Sequence, residues 1–168
     1  MSTYQYAAYG SNLHPVRLQL RVPSARLLGS GSLPGYQLRF NKRSSIDGSG
    51  KCSINAGDGV VHLAVFEIAT AEKPDLDRIE GLGKGYDQII LELENFGDCL
   101  SYIAEPSAID ETLHPMDWYR EMVILGCIRN RFPGEYVRGL ELFKSIQDEN
   151  PGRASENWKI VDAMRNDA

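Results

Sequence analysis

Two short stretches carry residues that could do chemistry. The first is Tyr6-Ala7-Ala8-Tyr9-Gly10-Ser11-Asn12-Leu13. Thr3 to Tyr9 is rich in β-favouring residues and reads as a strand, which breaks at Gly10-Ser11-Asn12 before Pro15 opens a helix. Successive backbone N–H groups in such a strand-to-helix turn can converge on one spot. They could hold an oxygen that carries, or develops, negative charge. The second stretch is Ile79-Glu80-Gly81-Leu82-Gly83-Lys84-Gly85-Tyr86. Glu80 falls at the end of a short helix, where a carboxylate meets the negative end of the helix dipole. It stands between apolar Ile79 and glycines that let other backbone approach. Each stretch also has a plain reading. Gly-Ser-Asn is a common turn, and a Glu on an acidic helix is ordinarily solvated. The residues alone leave both readings open.

No other constellation competes. His14, His62 and His114 are scattered, with no His-x-x-x-His or Cys-x-x-Cys spacing, so no metal or other cofactor is expected. His14 and His114 each precede a Pro at a helix start and read as capping or surface residues. His62 on an apolar strand reads as a core histidine. Gly81-x-Gly83-x-Gly85 has the wrong spacing for a dinucleotide fingerprint and precedes a strand. No Ser-His or Cys-His pair suggests an enzyme nucleophile.

The elements that must position these stretches follow from periodicity. After a helix over Pro15 to Arg21, Arg26 to Ser32 and Tyr36 to Asn41 read as strands, split by Leu33-Pro34-Gly35. Lys42 to Gly59 reads as the least structured part, with a short strand at Cys52 to Asn55. Val60 to Ile68 is a strong apolar strand, and Ala71 to Ile79 a short helix. Tyr86 to Glu94 and Cys99 to Ala104 pair as a hairpin. From Pro115 the period changes to 3.6, with Tyr119, Met122, Val123, Gly126 and Cys127 on one helical face. Tyr136, Val137, Leu140 and Phe143 follow on a second helix. The reading is one α+β domain over 1–148, a mixed, mainly antiparallel small β-barrel with peripheral helices. Residues 149–168 read as a polar tail of partial order.

Composition excludes several classes. With 168 residues and 42% hydrophobic content the chain can bury a real core. A net charge of −5 gives no basic footprint for nucleic acid. No apolar run approaches the ~20 residues of a membrane span, and the N-terminus reads as no signal peptide. Three cysteines at scattered spacing argue against a disulfide framework and fit a reducing cytoplasm. An exposed apolar helix face could support a homodimer.

Tyr9-Gly10-Ser11-Asn12-Leu13 just after an N-terminal strand resembles the signature of the γ-glutamylcyclotransferase-like family. The Glu80-Gly81 pair, with Tyr86 in register, resembles the site of that family's catalytic glutamate. Pro23-Ser24-Ala25, Gly35-Tyr36-x-Leu38-x-Phe40, Val65-Phe66-Glu67-Ile68, Ser101-Tyr102 and Pro115-x-x-Trp118-Tyr119 fall in the family's order. The resemblance covers roughly residues 4 to 148. Departures occur at His62-Leu63-Ala64 and at Asp87, and they bear on the substrate more than on the fold.

The resemblance implies an enzyme that cyclises a γ-glutamyl group to 5-oxoproline and releases an amine or amino acid. Glu80 would be its general acid/base, and burial beside Ile79 and Leu82 would suit it to that task. Tyr6, Ala7, Ala8, Tyr9, Gly10, Ser11 and Asn12 would hold the glutamyl moiety, with Gly81, Tyr102 and Tyr119 completing the pocket. Ring closure is intramolecular, so no enzyme nucleophile is needed. The leaving group stays open: an α-amino acid, an ε-lysyl group or another amine. The alternative of another class is a binding or interaction module on the same fold, with Glu80 a structural acceptor only.

Overall fold

The computed structural model describes residues 1–167. The elements run β1 (Thr3–Ala8), α1 (Pro15–Gln19), β2 (Arg26–Arg43), β3 (Gly50–Ala69), α2 (Lys73–Glu80), β4 (Tyr86–Leu93), β5 (Gly97–Ala104), α3 (Asp117–Arg129), α4 (Gly134–Glu141) and α5 (Pro151–Arg165). The strands form one mixed sheet in the order β2-β3-β1-β5-β4. β1 is the middle strand. It runs antiparallel to β3, with Tyr6 opposite Phe66, and parallel to β5, with Tyr6 opposite Leu100. A central position explains why the run Tyr6-Ala7-Ala8 is wholly buried. The sheet curls: Phe96, in the β4–β5 turn, reaches Gly29 of β2, although β2 and β4 share no ladder. This is the α+β fold read from the sequence, a small barrel left open at one seam.

Two stretches expected to be irregular are strand. Leu33-Pro34-Gly35 does not split β2, because β2 is an edge strand and can carry a proline. Pro34 lies opposite Val60, and the ladder shifts register before Tyr36, opposite Gly57-Asp58-Gly59. Of Lys42 to Gly59, only the tip is a turn, where Ser44 N–H donates to the Ser49 carbonyl at 2.9 Å. Polar side chains hid the pairing. Ser53, fully buried, donates to Asn41 across the strands, and Asn55 donates to Ser53 at 2.8 Å. Hydrogen bonding replaces the apolar alternation on which strand recognition rests.

The core lies between the sheet and α3, with Phe66, Leu63 and Val65 of β3 and Met122, Val123 and Cys127 of α3 all out of solvent. His62 packs beside this core against Phe132 and Tyr136. Residues 151–165, in the stretch read as a polar tail, form α5, and its Val161 and Met164 join the core. The helix starts cleanly: Pro151 occupies its first turn and the Asn150 side chain accepts from Arg153 N–H at 3.0 Å. Asp148 ties it to α3 by accepting from Trp118 Nε1 at 2.9 Å and from Arg153 Nε at 2.7 Å.

α3 also sets the position of the turn after β1. A Cβ at Gly126 would lie 2.5 Å from Leu13 Cβ, so a glycine is what lets the turn pack onto the helix. Asn130 of the segment just beyond α3 then donates to the Leu13 carbonyl at 2.9 Å. We expect Gly126→Ala to destabilise the fold by about 1–3 kcal/mol, the usual cost of overpacking, as measured by urea unfolding.

Asp148 predicts a pH dependence. Its bonds to Arg153, and then to Trp118, hold its carboxyl down to about 2 from 3.8. A carboxyl depressed in the fold contributes stability that is present above its unfolded value and lost as pH falls through its folded value. Asp148→Asn should therefore lower the urea midpoint clearly at pH 7. The gap to the wild type should narrow between about pH 4 and pH 2. A gap of constant size would contradict the assignment.

Candidate active site

Glu80 is the last residue of α2, and its placement follows from the residue after it. Gly81 adopts the left-handed conformation at φ 78° and ψ 45°, which glycine tolerates best. Its N–H donates to the Asp77 carbonyl at 3.0 Å and Leu82 N–H donates to the same oxygen at 2.9 Å. The helix therefore stops abruptly and the Glu80 side chain turns toward β1. Leu82 is exposed. The groups at the carboxylate are polar instead. Asn12 Nδ2 donates to Glu80 Oε1 at 2.5 Å and Arg21 Nη1 to the same oxygen at 3.3 Å. The Asn12 amide also donates to the Tyr6 hydroxyl at 3.1 Å, and its Oδ1 accepts from Arg21 at 3.3 Å. Tyr6, Asn12, Arg21 and Glu80 thus form one hydrogen-bonded cluster.

The turn that carries Asn12 is a single 3-10 turn over Ser11–Leu13. Leu13 N–H donates to the Gly10 carbonyl at 3.2 Å, whereas the N–H groups of Gly10, Ser11 and Asn12 find no backbone acceptor among the described residues. The three residues line the same cavity as the Glu80 carboxylate.

Gly10, Ser11, Asn12 and Glu80 line a narrow, partly open cavity of about 30 Å³ whose remaining wall is Cys52 and five tyrosines: Tyr6, Tyr9, Tyr86, Tyr102 and Tyr119. The wall is tied down. Tyr9 donates to the Tyr102 carbonyl at 2.6 Å and Tyr86 to the Cys52 carbonyl at 2.6 Å. Tyr119 accepts from Cys52 N–H at 3.1 Å, and Tyr102 donates to Asp77 Oδ1 at 2.6 Å. Burial pushes all five phenols upward, with the Glu80 charge adding to the rise at Tyr6, Tyr9, Tyr86 and Tyr119. The wall therefore presents neutral hydroxyls at every ordinary pH. Burial also pushes the Cys52 thiol up to about 12, which leaves it a protonated, unreactive surface.

Of the residues singled out from the sequence, Tyr6, Tyr9, Gly10, Ser11, Asn12, Glu80, Tyr102 and Tyr119 meet at this cavity. Ala7 and Ala8 do not line it. They sit inside β1, where the Ala7 carbonyl accepts from Ser101 Oγ at 2.8 Å. Gly81 lines a wider cavity that adjoins the first at Ser11, Glu80, Tyr86 and Tyr119. Sequence reasoning missed Arg21, Cys52 and the place of Tyr86 in the wall. Arg21 follows α1 between Leu20 and Val22 without any spacing signal. Cys52 opened the short strand read at Cys52 to Asn55, with nothing to mark it as a wall residue. Tyr86 stood in register with Glu80 and Gly81, and that register was the available clue.

No family model matches the sequence. The γ-glutamylcyclotransferase of Mus musculus is 28% identical over 95% of this chain and 87% of that protein. The γ-glutamylcyclotransferase of Homo sapiens is 27% identical over the same shares. A solved γ-glutamyl cyclotransferase is similar in fold with a TM-score of 0.81 at 26% identity, over 98% of this chain and 99% of that one. The likeness to γ-glutamylcyclotransferases holds in sequence and in fold along nearly the whole of each chain.

Proposed function

We propose that this chain is a γ-glutamyl cyclotransferase: it folds a γ-glutamyl group onto itself, releases 5-oxoproline and frees the amine that was linked to the γ-carbonyl. The observation that carries the reading is the cluster at Glu80. A carboxylate, held by Asn12 and Arg21, stands at a tyrosine-walled cavity that is also lined by Gly10, Ser11 and Asn12, whose N–H groups have no backbone acceptor among the described residues. Cyclisation needs a base that can return a proton, an oxyanion site and an enclosure, and Glu80, the Gly10 to Asn12 turn and the tyrosine wall are suited to those parts.

In this reading the substrate's α-amine attacks its own γ-carbonyl. The new C–N bond closes a five-membered ring, and the bond from the γ-carbon to the leaving nitrogen breaks. At neutral pH the amine arrives protonated and has no lone pair. Glu80 takes one proton from it and hands that proton to the departing nitrogen as the tetrahedral adduct collapses. The ring nitrogen's other surplus proton leaves with the released amine or to solvent. The N–H groups of Gly10 to Asn12 receive the oxyanion of the adduct. The tyrosine wall keeps the glutamyl chain curled, so attack is within one molecule. Such positioning alone is worth up to about 7–11 kcal/mol of barrier.

Arg21 plays a positioning part. It balances the Glu80 charge in the ground state while Asn12 aims the oxygen. The three thiols, free and buried, suit a reducing cytoplasm.

Release of 5-oxoproline from a panel of γ-glutamyl amino acids and γ-glutamyl amines tests the reading. The wild type should turn over at least one class. Glu80→Gln should lose roughly 10²–10⁴-fold in rate with its thermal melt intact, the scale of general acid–base catalysis. Equal rates in the two proteins would remove Glu80 from the mechanism, and no release from any class would overturn the proposal.

A further inference from the structure

The cavity at Glu80 opens into a wider vestibule between α1, the β2–β3 hairpin, α2 and the N-terminal ends of α3 and α5. Its lining has the opposite sign to the chain as a whole. The chain carries −5, yet seven lining residues are Lys or Arg and two, Asp47 and Glu80, are acidic. Four of the cations are matched. Arg21 pairs with Glu80, Lys51 with Asp47, Arg78 with Asp75 and Arg153 with Asp148. Lys84 is exposed and hydrated. Arg17 and Lys42 remain, without an ion pair among the described residues, and they are the most buried of the set, at 8% and 4% exposure.

Both are held at a cost to the protein. Arg17 Nε is buried with no hydrogen-bond partner. Burial pushes its guanidinium down to about 9, and the neighbouring Arg21 adds to the fall. Burial lowers Lys51, and Arg17 and Arg21 depress it further, so the cations repel one another. Burial lowers Lys42 as well. Glu80, Glu105 and Asp47 favour its charge from beyond ion-pair range, and its ammonium rests over the Tyr86 ring at 4.4 Å. The fold makes room for this lysine. A Cβ at Gly85, φ +115°, would lie 2.7 Å from Lys42 Cε and 2.9 Å from Nζ. A buried cation without a counter-ion is among the more expensive features a fold can keep. Two of them facing one vestibule call for an anion that arrives from outside.

We infer that the vestibule receives the leaving group and that this group is an acidic amino acid, its two carboxylates seated on Arg17 and Lys42. The inference rests on the cyclotransferase reading, which places the glutamyl moiety in the small cavity and sends the rest of the substrate outward. Two cations on separate elements, α1 and β2, fit two separate carboxylates better than one compact anion. A guanidinium also offers the planar fork that a carboxylate matches.

The test compares γ-glutamyl-aspartate with γ-glutamyl-asparagine, which differ by one charge at nearly constant shape. Affinity is read by calorimetry and kcat/KM by 5-oxoproline release, on the full chain. The aspartate compound should be favoured at least tenfold in both readouts. One of Arg17→Met and Lys42→Met, the one that removes the partner of the side-chain carboxylate, should bring the ratio down toward one, and the other should weaken both compounds alike. Both compounds meet the same variant, so a folding defect cancels from the ratio. Turnover of both compounds without discrimination would overturn the inference and leave the cyclotransferase reading standing. Discrimination in binding with no 5-oxoproline from any substrate would overturn that reading and keep the anion site. Binding of neither compound, or a preference that survives both methionine variants, would overturn the inference.

Discussion

Everything at this site depends on one contact, the hydrogen bond from Asn12 to Glu80, made between residues 68 positions apart. A partly buried carboxylate is stable only when its charge is met by donors, and here the donors come from the chain that follows β1. The contact requires β1 to end beside the C-terminus of α2. The sheet order arranges this: β1 lies centrally, so its C-terminal end opens into the middle of the curled sheet. Gly126 lets the turn settle on α3, and Gly81 stops α2 at the right residue. A displacement of either element would leave Glu80 facing Arg21 alone.

The tyrosine wall shows how the fold preorganises the cavity. Each of four hydroxyls is spent on a structural bond: Tyr9 on β5, Tyr86 and Tyr119 on β3, and Tyr102 on Asp77 of α2. The rings are therefore held in place, and little reorganisation would be left for the proposed reaction to supply. Because burial keeps these phenols protonated, the carboxylate is the group in the small cavity suited to exchanging a proton.

Much of this was legible in the sequence wherever a local rule applied. The strand-turn-helix at Tyr6 to Pro15 and the Glu80-Gly81 helix stop both announce themselves by turn chemistry. The family resemblance then joined two stretches that no local rule connects. Less legible were features set by long-range pairing. β3 runs through Gly50–Ala69 because Ser53 and Asn55 bond to Asn41 and to each other, and polar strands lack the alternation that marks apolar ones. α5 reads as polar because few of its residues are buried, among them Val161 and Met164. Ala7 and Ala8 belong to the same motif as Tyr6 and Gly10, yet packing in a central strand turns them away from the cavity. Arg21 and the two unmatched cations were invisible, since nothing local distinguishes them from solvated surface charges.

The most direct test of the account is a crystal structure of the Glu80→Gln protein with an uncleaved γ-glutamyl dipeptide bound. The account predicts the glutamyl chain curled inside the tyrosine wall. Its γ-carbonyl oxygen should accept from the backbone N–H groups of the Gly10 to Asn12 turn, and its α-amine should lie within hydrogen-bond distance of residue 80. A glutamyl group bound outside this cavity, or one whose α-amine points away from residue 80, would contradict it.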